Sequence, residues 1–119
     1  MTPLSAVDIL GPQLRQELDE LSASMCKALN DPKRLMVLYT LRNRGCTVGE
    51  LSRLLGAPQS NTSQHLAVLR DRGLVEAERN GNTVIYSLRH PKVLEAVDTL
   101  REVMADELTR RQALRSRYE

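Results

Sequence analysis

Gln59, Ser60, Asn61, Thr62, Ser63 and Gln64 follow one another without a single charge. A solubilising stretch would carry Glu and Lys. Hydroxyls and carboxamides instead both donate and accept, which is the chemistry for reading base edges and gripping phosphates in a major groove. Arg70 lies farther along the same segment, and Arg79, Asn80 and Asn82 surround Gly81. Arg is the forked donor suited to phosphate and guanine. The candidate nucleic-acid contacts are therefore Gln59, Ser60, Asn61, Ser63, Gln64, Arg70, Arg79, Asn80 and Asn82.

The other reactive side chains are few. There are two Cys, Cys26 and Cys46, and two His, His65 and His90. Two thiols cannot complete a tetrahedral zinc site, and no His stands at ligand spacing, so neither a metal nor a cofactor is expected. Across a dimer Cys26 and Cys46 could form a disulfide, or each could be oxidised singly. The plainer reading makes Cys26 a small core residue and Cys46 a loop residue. Only Arg44 and a helix start would lower a thiol pKa, and both favour Cys46. His65 reads as a packed, hydrogen-bonded residue, and His90 before Pro91 as a helix-start or turn residue. There is no Gly-rich phosphate loop, no nucleophile with a His partner and no recognisable carboxylate pair, which argues against an enzyme. Asp98, Glu102 and Asp106 recur at helical spacing and read as a solvated face.

The elements that position the polar run are legible. Thr47-x-x-Glu50 is a capping box. Leu51, Leu54 and Leu55 then share a helical face. Gly56 ends that helix and Pro58 pre-sets φ for the next, which runs from about Gln59 to Arg72. Thr62, Leu66 and Leu69 line its inner side, with Ser60, Ser63, Gln64 and Ala67 away from it. Gly73 and Leu74 fit a Schellman ending. Two helices joined by such a turn form a helix-turn-helix, or else a plain helical hairpin with a polar surface.

Upstream, residues 1–10 read as loose. Leu14, Leu18, Leu21, Met25 and Leu29 make one stripe on a helix from about Pro12 to Leu29. Asp31 and Pro32 start a second helix whose Leu35, Met36, Leu38, Tyr39 and Leu41 should be central and buried. Downstream, Leu74–Arg79 and Asn82–Leu88 read as strands around Asn80-Gly81, a strong hairpin signal. This hairpin is a wing beside the recognition helix, with Arg79 near a phosphate or minor groove, or else a cap on the core. Val93, Val97, Leu100, Met104 and Leu108 stripe a last helix, beyond which Arg110, Arg111, Arg115 and Arg117 form a frayed end.

The fold class is thus mainly α with a β-hairpin, a winged helix-turn-helix in the order α-α-α-α-β-β-α. The 119 residues read as one domain, residues 1–119. With three Tyr, no Phe and no Trp, its core must be aliphatic. Net charge is only +2, which suits local basic patches and a sequence-specific binder better than a non-specific coat. Two outer amphipathic helices, at about 12–29 and 91–112, exceed what so short a chain can bury. They should pair with a second copy through Leu14, Leu18, Leu21, Met25, Val97, Leu100 and Met104. Two recognition helices then meet successive major grooves of a roughly palindromic site. No apolar run spans a bilayer, and MTPLSAVDILGPQ lacks the basic start and long apolar stretch of a signal peptide. With only two Cys, reduced thiols and a cytoplasmic setting are expected.

Lys27-Ala28-Leu29-Asn30-Asp31-Pro32-Lys33-Arg34-Leu35 resembles the signature of the ArsR/SmtB family of bacterial winged-helix repressors. Gln59-Ser60 through Ser63, then His65-Leu66, Leu69-Arg70 and Gly73-Leu74-Val75, resemble its recognition helix. Arg79 through Tyr86 resembles its wing. The likeness covers about residues 20–105. It implies a homodimeric repressor of double-stranded DNA that leaves its operator when an inducer binds. The chain departs from the family's sensor motifs. Thr47-Val48-Gly49-Glu50 stands where many members have Cys-x-Cys-Asp. Asp98-Thr99-Leu100 stands where others have Asp-x-His, and no His follows His90. Tyr39 stands where thiol sensors place a Cys, and the last helix has none. The inducer therefore stays unknown. Two other functions remain open: a winged helix used for protein–protein contact, and a thiol-based redox repressor using Cys26 and Cys46.

Overall fold

The structure, a computed structural model, describes residues 2–118. Its helices are α1 (Ala6–Leu10), α2 (Pro12–Leu21), a π-helical stretch (Ser22–Cys26), α3 (Lys27–Leu29), α4 (Pro32–Leu41), α5 (Val48–Leu55) and α6 (Gln59–Asp71). Strands β1 (Val75–Asn80) and β2 (Thr83–Leu88) come next, then α7 (Lys92–Arg117). The expected order of elements is present, with three differences at the outer helices.

Residues 1–10 are not all loose. Ser5 Oγ accepts from the Asp8 N–H at 3.2 Å, and the Asp8 carboxylate accepts from the Ser5 N–H at 2.8 Å. This capping box starts α1. The stripe over 12–29 is interrupted by the π turn, which takes up an extra residue and rotates the helical faces beyond it. Leu14, Leu18 and Leu21 before it are exposed, whereas Met25 and Leu29 pack against the chain's own core. Last, α7 does not fray at Arg110. It runs 26 residues, and Glu107 pairs with Arg110 and Arg111.

The Asp31–Arg34 segment closes two helix ends at once. Asp31 Oδ1 accepts from the backbone N–H of Lys33 and Arg34, at 2.8 and 3.3 Å, capping α4. Arg34 turns back, donating from Nε to Ala28 O at 2.6 Å and from Nη2 to Lys27 O at 3.2 Å. Orphan carbonyls of α3 and orphan amides of α4 are thus satisfied by residues three apart. The Thr47 capping box forms as expected, each bond 3.1 Å long. Arg44 reaches Glu50 at 2.9 Å. The Thr47 N–H first, and Arg44 second, hold the Glu50 carboxyl below its usual range.

The core is aliphatic. Val37, Leu38 and Leu41 of α4 meet Leu51 of α5, Leu66 and Leu69 of α6 and Leu94 of α7. Two expected core positions lie outside it. Leu54 is 62% exposed, because the buried line of α5 runs through Leu51 and Leu55 and leaves position i+3 to one side. Met36 is 52% exposed, lying roughly opposite Leu38 around α4.

The recognition helix ends in the predicted Schellman motif. Leu74 N–H donates to Leu69 O at 2.9 Å and Gly73 N–H to Arg70 O at 3.0 Å, with Gly73 at φ 76. The hairpin pairs from Val75↔Leu88 to Asn80↔Thr83. Its loop is Gly81-Asn82, one residue later than Asn80-Gly81, with Gly81 at φ 65. Cys46 is not a loop residue. It exchanges backbone bonds with Tyr86, at 3.0 and 2.8 Å, and adds a one-residue third strand to the wing. Gly45 permits this approach, since a Cβ there would lie 2.6 Å from Ile85 Cγ2.

Asp98 is not on a solvated face. Tyr39 Oη and Arg42 Nη2 each donate to its carboxylate at 2.6 Å, and Arg101 Nη1 at 3.1 Å. Both guanidinium groups also lie over the Tyr39 ring, 5.3 and 5.5 Å from its centroid. This clasp ties α7 to α4. The Arg42 hydrogen bond first, then Tyr39, lower the Asp98 pKa from 3.8 to about 2. The folded value lies below the unfolded one. Its contribution to stability is therefore present above pH 3.8 and lost as pH falls toward about 2. Asp98→Asn should lower the melting temperature at neutral pH. The gap from wild type, read by circular dichroism melts, should shrink across that acid window. A gap unchanged down to pH 2 would show that the clasp does not stabilise the fold in this way.

Candidate nucleic-acid interface

The inner stripe of α6 decides what its outer face can be. Thr62, Leu66 and Leu69 are all at most 1% exposed. The Thr62 hydroxyl donates to Pro58 O at 3.2 Å, so its burial leaves no unmet donor. With that side fixed, Gln59, Ser60, Ser63, Gln64, Ala67 and Arg70 are exposed. Pro58, the N-cap residue, has no side chain to cap the helix. The first N–H groups of α6 therefore stay open at the end that carries Ser60, a ready seat for an anion.

Asn61 does not belong to this face. It is half-buried, and its Oδ1 is enclosed without a hydrogen-bond partner, as is Ser52 Oγ on α5. At 100° per residue Asn61 shares the flank of half-buried His65, at the edge of the inner stripe. Burial pushes the nearby Asp31 carboxyl up, but the Arg34 and Lys33 N–H groups bring it below its usual range. His90 is exposed and accepts from the Val93 N–H at 3.0 Å, a helix-start role.

Arg79, Asn80 and Asn82 are exposed at the far end of the wing. Thr83 Oγ1 donates to Asn80 O at 2.8 Å and tightens the tip. Arg70 and Arg79 have no acidic partner among the described residues, whereas Arg34, Arg42, Arg44 and Arg101 do.

The outer helices carry an apolar surface. Leu14, Leu18 and Leu21 are 40–48% exposed, and Leu100 and Met104 are 65% and 59% exposed. Val97 differs from this group. It is only 9% exposed and packs inside its own chain, because it follows Leu94 by less than one turn on the side of α7 that faces α4.

The cysteines exchange their expected places. Cys26 is exposed, beside an open hollow edged by Ser22, Lys27, Leu29, Asn30 and Leu100. Cys46 is buried, and burial pushes its thiol up despite Arg44. Both are free thiols. The positions at which the resemblance placed sensor ligands have other partners: Thr47 and Glu50 cap α5, and Tyr39 bonds Asp98. Among the described residues, no three His, Cys, Asp or Glu gather as a metal site would need. The sequence missed the Asp98 clasp. A Tyr on a largely apolar helix needs a partner for its hydroxyl, and that was the available signal.

The comparisons agree with this geometry. The family model described as "Bacterial regulatory protein, arsR family" matches residues 31–77. The HTH-type transcriptional regulator YgaV of Escherichia coli is 40% identical over 85 residues, covering 71% of this chain and 86% of that protein. The biofilm growth-associated repressor of Xylella fastidiosa is 40% identical over 78 residues, covering 66% and 68%. The homodimeric winged helix-turn-helix DNA-binding domain Mb0332 of Mycobacterium bovis superposes with a TM-score of 0.69 at 25% identity, covering 91% of this chain and 94% of that one. A recognition helix with an open polar face, a wing built from an antiparallel hairpin and relatives of this similarity have one reading: the chain belongs to the ArsR family of bacterial regulatory proteins and is a winged-helix, DNA-binding transcriptional regulator.

Proposed function

We propose that the whole chain works as one winged-helix unit and, as a homodimer, represses transcription from a roughly palindromic operator. The carrying observation is the uncharged outer face of α6, Ser60, Ser63 and Gln64, on a helix whose other side is locked in the core. Ser63 and Gln64 read bases or adjacent phosphates, Arg70 and the open start of α6 hold the backbone, and Arg79, Asn80 and Asn82 reach it from the wing. Leu14, Leu18, Leu21, Leu100 and Met104 supply the seam between two copies. A homodimeric relative supports this assembly. No described helix is long and apolar enough to cross a membrane, and the protein acts in the cytoplasm.

A protein–protein role would favour an acidic or apolar outer face, which α6 lacks. A redox repressor built on both thiols is disfavoured by the enclosed Cys46. The positions that the resemblance assigns to metal ligands carry neither thiol nor imidazole. Binding to genomic fragments against bulk DNA, at several salt concentrations, tests the reading. A reporter silenced by the protein supports repression; one that rises would make it an activator.

The docking sets three expected outcomes. Gln64→Ala should cost about 1–3 kcal/mol on the cognate site and relax preference at one position. If affinity and preference are both unchanged, the helix docks otherwise. Arg79→Ala should weaken binding to all sequences and reduce the salt slope by about one. An unchanged slope places Arg79 off the DNA. Leu18→Asp would set an unpaired charge in each half of the seam, where desolvation makes it costly. Light scattering should report monomer or partial unfolding. Loss of binding should be far larger for a full palindrome than for a half-site. A dimer with full affinity would refute this seam.

A further inference from the structure

Between α6 and the wing lies a cleft of about 550 Å³, edged by Ser63, Ala67, Arg70 and Asp71 on one side and Tyr86 on the other. Tyr86 belongs to β2, on the wing side of this cleft. Its N–H and C=O are both engaged by Cys46, and its ring packs against the core, so the hydroxyl is the one polar group it has left to offer. Ser63 offers a second hydroxyl. Arg70 offers a forked cation without an acidic partner among the described residues. Asp71 is the one acid at the rim, and Arg72 pairs with it at 3.6 Å.

Two hydroxyl donors and a free guanidinium around one cleft match a phosphodiester oxygen better than a base edge or an apolar group. Position supports the same ligand. If α6 enters a major groove while the wing lies beside it, one sugar–phosphate strand must pass between them, and that is where the cleft runs.

We propose that Ser63, Arg70 and Tyr86 form a seat for one DNA backbone phosphate between recognition helix and wing, with the Tyr86 hydroxyl as a DNA contact. This rests on the DNA-docking reading above and adds a contact from the inner part of the wing, away from its tip. Because Tyr86 lies on the wing and Ser63 and Arg70 on α6, a phosphate held by all three also braces the wing against α6. The contact carries no sequence information, since a phosphate is the same at every step.

The test uses fluorescence anisotropy with an operator duplex recovered from genomic fragments and an unrelated duplex, across a salt series. Tyr86→Phe removes only the hydroxyl and keeps the ring and the backbone bridge. It should weaken both duplexes by the same factor, about ten- to a hundredfold, the range for one hydrogen bond to a charged acceptor. Its salt lines should stay parallel to wild type, because no charge is lost. Arg70→Ala should also weaken both duplexes, and lower the slope by about one. Tyr86→Phe that binds like wild type overturns the seat. So does a loss confined to the operator, which would make Tyr86 a base reader. Melts of each variant guard against unfolding. If Tyr86→Phe does not fold, Arg70→Ala decides alone, and an unchanged slope overturns the proposal. Wild type that binds neither duplex would instead overturn the docking itself.

Discussion

Everything on the surface of α6 depends on the burial of Thr62, Leu66 and Leu69. A helix has one rotational setting about its axis, and three enclosed side chains a turn apart fix it. Burying one Leu is worth roughly 1.5–3 kcal/mol, so rotating α6 to expose two of them would cost more than one external hydrogen bond returns. Ser63 and Gln64 are therefore held outward by hydrophobic burial rather than by contacts of their own. The flanks fix the length of the helix as well as its rotation. Pro58 starts it without a capping side chain, and Gly73 with Leu74 stops it. An outer face kept free of internal partners is free for external ones.

The rest of the fold keeps that helix in place through two polar joints. Arg34 and Asp31 weld α3 to α4 by answering the orphan groups of both ends. The Asp98 clasp ties α4 to α7 through Tyr39 and Arg42. The second joint bears on regulation. Asp98 and Tyr39 occupy positions where related proteins are expected to keep sensor ligands, and here each satisfies the other. A signal acting at this spot would first have to break a carboxylate held by three donors. Its depressed pKa measures how strongly the ionised form is preferred.

Local chemistry was legible in the sequence, and long-range chemistry was not. The Thr47–Glu50 box, the Gly56 break, the Schellman ending at Gly73 and the stripe of α6 each depend on residues close together in the chain. Each formed where the pattern put it. Asp98 joins partners 56 and 59 residues away, and on its own helix its spacing could only look solvated. Cys46 looked like loop because its strand partner, Tyr86, lies across the fold. The π turn at Ser22–Cys26 has no pattern of its own, yet it splits one apparent stripe into an exposed part and a packed part. Asn61 is polar by type, but its angle places it at the edge of the buried stripe.

A net charge of +2 is small for a protein that must approach a polyanion, so where the charge lies matters more than its total. Arg42 and Arg101 are answered by Asp98, Arg44 by Glu50, and Arg110 and Arg111 by Glu107. Three carboxylates thus cancel most of the charge of five guanidinium groups within a few ångströms, and what they cancel contributes little beyond a screening length of about 8–10 Å. Arg70 and Arg79, beside the polar face and on the wing, have no such partner among the described residues. What a phosphate meets is therefore the local excess and not the total. A chain with many free cations would hold any duplex, since counterion release is blind to sequence. On the proposed docking, discrimination between sites comes instead from the hydrogen-bonding face of α6.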